Sequence, residues 1–167
     1  MKKFLALFAV VLISGIVKAG TVTWSCEISK DGSYVNGGIA YLFLGSSTEG
    51  VVEAIQGGTF KYDSALASAT TDDEGYFKKT GIGSYVNQSV SLYMVVFDSA
   101  TVQPTSNFAV SGVMTQTFGS SGNKTFAFAN DEQISNPTWH PVSVPEPTSV
   151  ALLAIGLAAL GLKRKVA

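Results

Sequence analysis

The sequence predicts a mainly β, sandwich-like domain with one or two short helices, flanked by an N-terminal signal helix and a C-terminal apolar helix. Three observations predict it. Residues 20–144 hold 30 Ser or Thr and 14 Gly, types that punctuate strands and suit short turns. The apolar runs in that segment are short and rich in β-branched and aromatic residues, as strands require. The two ends differ from it: residues 1–19 hold 14 apolar residues and residues 145–167 hold 13, against 50 in the whole middle. Charge divides the same way, +3 at the start, −6 in the middle and +2 at the end. A chain of 167 residues accommodates one domain besides such ends.

The first end, residues 1–19, has the parts of a secretory signal peptide. Lys2 and Lys3 form a positive head, and Phe4 to Val17 an apolar stretch broken only by Ser14 and Gly15. That stretch engages the general secretion machinery but is short for a stable span, which needs roughly 20 residues. Val17-Lys18-Ala19 places a small residue before the cut. Cleavage is expected between Ala19 and Gly20; a retained anchor is the alternative.

The β domain is expected over residues 20–137. Val22 to Ile28 is a weak strand candidate. Ile39 to Leu44 is a better one, and Val90 to Phe97 is the strongest. There Val90, Leu92, Met94 and Val96 fall on one face and Tyr93, Val95 and Phe97 on the other. Apolar residues on both faces mark a central strand covered on both sides. Phe108 through Met114, and Thr125 to Phe128, alternate as half-buried strands do, with Gly119 to Asn123 as a hairpin loop between them. Tyr76-Phe77 is a further weak candidate. Helix is expected over Glu49 to Gln56, with Ser47 or Thr48 as N-cap and Gly57-Gly58 as stop. A second helical turn is expected within Asp63 to Ala69. Thr71-Asp72-Asp73-Glu74-Gly75-Tyr76-Phe77 resembles the turn-and-strand signature of prealbumin-like sandwich modules, which favours a sandwich over a barrel.

Residues 138–144 form a brief polar linker into the last segment, residues 145–167. Pro145 and Pro147 hold the chain extended around Glu146, the form that a protease cleft accepts. Val150 to Leu162 follows, with Leu152, Leu153, Ile155, Leu157 and Leu160 inside it. As a helix it covers about 20 Å, marginal for a hydrocarbon core of about 30 Å. Lys163, Arg164 and Lys165 stay cytoplasmic, which leaves everything before the apolar helix outside.

Val144-Pro145-Glu146-Pro147, the spacer, the apolar helix and the basic end together resemble the PEP-CTERM sorting signal of bacterial exported proteins. That signal is also catalogued as the ice-binding protein C-terminal domain, a name that implies no ice binding because the shared segment is the sorting tail. The resemblance implies recognition by an exosortase-type membrane protease or transpeptidase and cleavage near Pro145–Pro147. It further implies a membrane-anchored precursor and delivery to the cell surface or to an extracellular (biofilm) matrix. A lipid-anchor signal of the GPI type ends in its apolar stretch, whereas this tail ends in charge.

The middle offers little chemistry. His140 is the single histidine and stands in the linker beside the expected cleavage region, outside the core where a triad would need its base. Cys26 is the single cysteine, so no intramolecular disulfide forms, and it reads as a small buried hydrophobe on a strand. One Cys and one His exclude a tetrahedral zinc site. Asp72, Asp73 and Glu74 are weak calcium candidates that lack alternating ligand spacing; no cofactor is expected. Glu49 and Glu53 read as a solvated face. Trp24, Trp139, Tyr34, Tyr41, Tyr62, Tyr85 and Tyr93 would stack on sugar rings if several lined one face, although Tyr41 and Tyr93 read as core. The acidic middle disfavours nucleic acid. The expected product is therefore an exported, non-enzymatic protein with a structural or adhesive role. The alternatives are a carbohydrate-binding module of the exopolysaccharide matrix and a small carboxylate-dependent hydrolase.

Overall fold

The computed structural model describes residues 19–128 and 137–142. Strand takes 47% of these residues and helix 8%, so the domain is mainly β, with no closed barrel among the described residues. The signal segment before Ala19, the sorting motif Val144 to Pro147, the apolar helix and the basic end lie outside the described residues.

The chain opens with β1 (Gly20–Glu27). A tight hairpin follows, β2 (Ser29–Lys30) and β3 (Ser33–Tyr34). Asp31 and Gly32 join these strands with φ of 52° and 78°, the left-handed pair that a two-residue hairpin turn demands. Next come β4 (Ile39–Leu44), α1 (Val51–Gln56), a single 3-10 turn at Tyr62–Ser64 and β5 (Ala67–Thr70). The rest is strand: β6 (Tyr76–Tyr85), β7 (Ser89–Phe97), β8 (Asn107–Val110), β9 (Met114–Thr117), β10 (Lys124–Ala127) and β11 (His140–Pro141).

Two sheets share one apolar cluster. The smaller has the order β10-β1-β6, with β10 parallel to β1 and β6 antiparallel. The larger runs β11-β8-β7-β4-β5, and β9 continues the β8 edge along β7. Val22, Trp24 and Cys26 of β1, Leu42 of β4, Leu92 and Met94 of β7 and Phe126 of β10 are fully buried in this cluster. The Trp24 and Phe77 rings meet edge-on at 4.4 Å, a favoured aromatic geometry.

The two-sided pattern of Val90 to Phe97 is borne out. Val90, Leu92, Met94 and Val96 belong to the cluster shared by the sheets, whereas Tyr93, Val95 and Phe97 belong to a second cluster. That second cluster holds Val51 and Ile55 of α1, and Phe43 stacks on Tyr93 there at 5.3 Å. Helix α1 therefore covers the outer face of the larger sheet with Val51 and Ile55, which stand one helical turn apart.

Several expectations are corrected. Neither Ser47 nor Thr48 caps α1: Gly50 does, at φ 75°, with no side-chain bond, while the Ser47 hydroxyl accepts from the amide of Glu49 just ahead. The second helical segment shrinks to Tyr62–Ser64 because Ala67–Thr70 pairs with β4. Gly119 to Asn123 is not a hairpin loop, since β9 lies in the larger sheet and β10 in the smaller. The strand expected from Phe108 through Met114 is two strands, β8 and β9, separated by Ser111 to Val113. Strand β6 is far longer than Tyr76-Phe77 suggested. Its register against β1 shifts twice, and Gly81 and Gly83 there take φ of 75° and 67°. Such bulges break the alternation by which a strand is recognised.

The linker residues also pack on the domain. Trp139 donates its indole N–H to the Ser29 carbonyl, β11 pairs with β8, and Val142 is buried.

Candidate functional site

At one end of the small sheet, β1, the β2–β3 hairpin and the start of β6 converge. Glu27 is the last residue of β1 and lies opposite Tyr76, the first of β6. Tyr34 closes β3. Between them the chain turns through Asp72 to Gly75. The Asp72 carboxylate accepts the amide hydrogens of Glu74 at 3.0 Å and Tyr76 at 2.8 Å, which fixes the turn from within. Gly75 adopts φ 68°, and a Cβ there would come within 2.4 Å of the Ile28 carbonyl oxygen. No other residue satisfies both the left-handed backbone and that approach.

These elements enclose an open depression of about 310 Å³ lined by Glu27, Tyr34, Glu74 and Tyr76. Tyr34 is 57% exposed and Tyr76 37%. Their neighbours Val35 and Phe77 point the other way and are buried, as the two-residue period of a strand requires. The result is two phenol rings and two carboxylates on one solvent-facing surface.

The hairpin that carries Tyr34 is tied to the rest of the domain. Lys30 of β2 forms an ion pair with Asp98 at 2.5 Å, and the Asp98 carboxylate also accepts from the Asn107 amide and side chain at 2.7 Å. Burial works to raise the Asp98 pKa, but the Lys30 and Asn107 hydrogen bonds and the Lys30 charge outweigh it and leave the carboxyl below its ordinary value. The Lys30 ammonium also lies 5.5 Å from the centre of the Trp139 ring, within cation–π range.

Residues singled out in the sequence fall elsewhere. Asp72, Asp73 and Glu74 share a turn, but one Asp72 oxygen is committed to backbone, and among the described residues no three His, Cys, Asp or Glu side chains gather as metal ligands. Cys26 is buried as expected. Burial first, and the Glu27 charge second, push its thiol up to about 12 against a small opposing effect of its bond to the Glu27 carbonyl. His140 lies 5.5 Å from Phe108, ring to ring. Ala19 and Thr21 line a second depression, of about 470 Å³, with Ser121, Gly122 and Asn123. Gly20, the residue after the expected cleavage, is buried where a Cβ would strike the Gly122 carbonyl oxygen at 2.2 Å.

Of the aromatic residues proposed for stacking, Trp24, Tyr85 and Tyr93 are buried. Tyr41 and Tyr62 pack against each other at 5.4 Å, and Trp139 against the shared cluster. Tyr34 alone of that set is exposed. Its companion, Tyr76, was legible only as part of a weak strand; alternation with buried Phe77 was the signal that would have placed it outside.

Among the described residues no helix is long and apolar enough to cross a membrane. No curated protein matches the chain. The family model of the PEP-CTERM protein-sorting motif matches residues 143–165. At its C-terminal end, therefore, the chain carries the PEP-CTERM motif of an exported, membrane-anchored precursor destined for an exosortase-type system.

Proposed function

We propose that this protein is a non-enzymatic structural or adhesive module, delivered to the cell surface or extracellular matrix by exosortase-type sorting. The sorting motif at residues 143–165 carries the reading. In this account the signal peptide is removed after Ala19, and the two sheets fold outside as a sandwich-like module. Val150–Leu162 holds the precursor in the membrane until the chain is cut near Pro145–Pro147. A buried thiol at Cys26 and a histidine packed on Phe108 support a role without nucleophilic catalysis. Intact-mass measurement of the protein released by its native host tests the sorting account. The expected mass ends near Pro147; a released chain that retains Val150–Leu162 overturns it.

A second reading, a carbohydrate-binding module of the matrix, is favoured by the depression that Tyr34, Tyr76, Glu27 and Glu74 share. Aromatic faces stack on the C–H faces of sugar rings, and carboxylates accept from their hydroxyls. A hydrolase acting at this depression would have to use the same two glutamates. Both lie exposed at an open surface that excludes no water, which favours binding over bond cleavage. A glycan array tests this reading: binding that disappears in Tyr34→Ala supports it, and no binding to any glycan dismisses it.

A further inference from the structure

We infer that the Tyr34–Tyr76–Glu27–Glu74 depression recognises a cationic amino sugar, a hexosamine with a free ammonium group, within a glycan. This inference rests on the carbohydrate-binding reading and narrows it to a ligand class.

The depression is distinguished by what it exposes. Four large apolar or aromatic residues stand exposed among the described residues, Tyr34, Leu44, Tyr76 and Val86, and two of the four line this one surface. Aromatic rings left in water on a supported framework serve contact rather than packing. The volume of about 310 Å³ lies at the lower end of the range for small-ligand sites, roughly 300–1,000 Å³.

The framework is set before any ligand arrives. The Asp72 carboxylate and the left-handed Gly75 fix the turn that carries Glu74. The Lys30–Asp98 pair and the Trp139–Ser29 hydrogen bond fix the hairpin that carries Tyr34. A preformed surface spends little binding free energy on ordering itself.

Charge selects among sugars. Of the described residues that line the depression, the two acidic ones are Glu27 and Glu74, and none is basic. A uronic acid or a sulfated sugar would face two carboxylates and be repelled. A neutral hexose would gain stacking and hydroxyl contacts only. An ammonium on the ring adds charge-assisted hydrogen bonds to the carboxylates and cation–π attraction to the tyrosines. The carboxylate contacts are solvent-exposed, so salt weakens them.

Titration calorimetry on the full chain in detergent micelles tests the inference with four probes: a glucosamine tetramer, its N-acetylated counterpart, cellotetraose and tetralysine. The glucosamine tetramer should bind at least tenfold more tightly than the other three and lose affinity at high salt. Tyr34→Ala and Glu27→Gln should each weaken it at least fivefold; both sites are exposed, and unchanged circular dichroism of either variant establishes the fold. Equal binding of the acetylated and neutral oligomers, lost in Tyr34→Ala, would keep the carbohydrate reading and overturn the amino-sugar inference. Tetralysine bound as tightly as the glucosamine tetramer would also overturn it, by showing a general cation site. Glucosamine binding that both variants leave intact would overturn it too, and no binding by any sugar would end both readings.

Discussion

The indole nitrogen of Trp139 donates a hydrogen bond to the carbonyl of Ser29 at 3.2 Å, across 110 residues of sequence. Through it the last described segment secures the β2–β3 hairpin near the start of the domain. Trp139 is half-buried and packs against the cluster shared by the sheets. Trp139→Ala should therefore cost about 2 kcal/mol, below the roughly 3–5 kcal/mol of a fully buried aromatic. Trp139→Phe, which keeps most of the packing and loses the bond, should cost about 1 kcal/mol. Urea unfolding of the full chain in mild detergent measures both. Amide exchange should quicken at Lys30 to Tyr34 in the alanine variant.

Asp98 gives the domain a specific acid response. Its folded pKa lies below the ordinary value because hydrogen bonds from Lys30 and Asn107 overcome the effect of burial. A carboxyl depressed by folding contributes stability that is complete above the unfolded value, about 3.9. That contribution is lost as pH falls through the lower, folded value. Thermal midpoints of wild type and Asp98→Asn should differ at pH 7 and draw together below pH 4. A gap that stays constant down to the lowest pH would mean that the ionised carboxylate is not what holds the hairpin.

Ser111 marks the interruption between β8 and β9. Its hydroxyl accepts the Met94 amide hydrogen at 2.8 Å while its own amide donates to the Met94 carbonyl at 2.9 Å. A side-chain oxygen thus stands where a neighbouring strand would supply a carbonyl, beside a fully buried residue of the central strand. Ser111→Ala leaves that amide without a partner and should cost about 1–3 kcal/mol. Ser91→Ala removes a hydroxyl pair with Thr115 at the solvent side and should stay within about 0.5 kcal/mol. Equilibrium unfolding of the two variants provides the contrast.

The sequence was most legible where one physical cause acts alone. Apolar residues on both faces of Val90 to Phe97 marked a strand covered on both sides, and the structure supplies a sheet on one face and α1 on the other. It was least legible where the backbone departs from regularity. Beyond Tyr76-Phe77, strand β6 hid because bulges at Gly81 and Gly83 break its alternation. Strand β1 read only as a weak candidate because Thr and Ser alternate with its apolar residues, although Val22, Trp24 and Cys26, and Ile28 just beyond it, are fully buried at every second position. The β2–β3 hairpin did carry a sequence mark, Asp31-Gly32, the pair that a left-handed two-residue turn selects. The candidate site was legible only in pieces, Tyr34 among the stacking aromatics and Glu74 among the calcium candidates, because it is assembled from three separate segments. Neither Tyr34 nor Tyr76 is distinctive until the chain folds Glu27 and Glu74 beside them.

Cys26 provides a probe of whether β1 holds the centre of the small sheet. It is fully buried between β6 and β10, and burial, aided by the Glu27 charge, pushes its thiol up to about 12. The thiolate is the reactive form, so at pH 8 only about one thiol in 10⁴ is ionised, and even that fraction is shielded by side chains. Labelling by a charged disulfide reagent at pH 8 should therefore proceed only through opening of the sheet. It should be slow in buffer, immediate in denaturant, and accelerated by any variant that destabilises the fold. Loss of stability should track the same burial: Cys26→Ala removes a small apolar group, whereas Cys26→Ser places a hydroxyl among apolar side chains, where the thiol makes a weak 3.5 Å hydrogen bond to the Glu27 carbonyl. Serine should cost more than alanine if the site is apolar, because a poorly paired buried hydroxyl loses its water for little return. Rapid labelling of the native chain, or a serine variant as stable as wild type, would place β1 at an open edge and remove the support on which Glu27 and its groove depend.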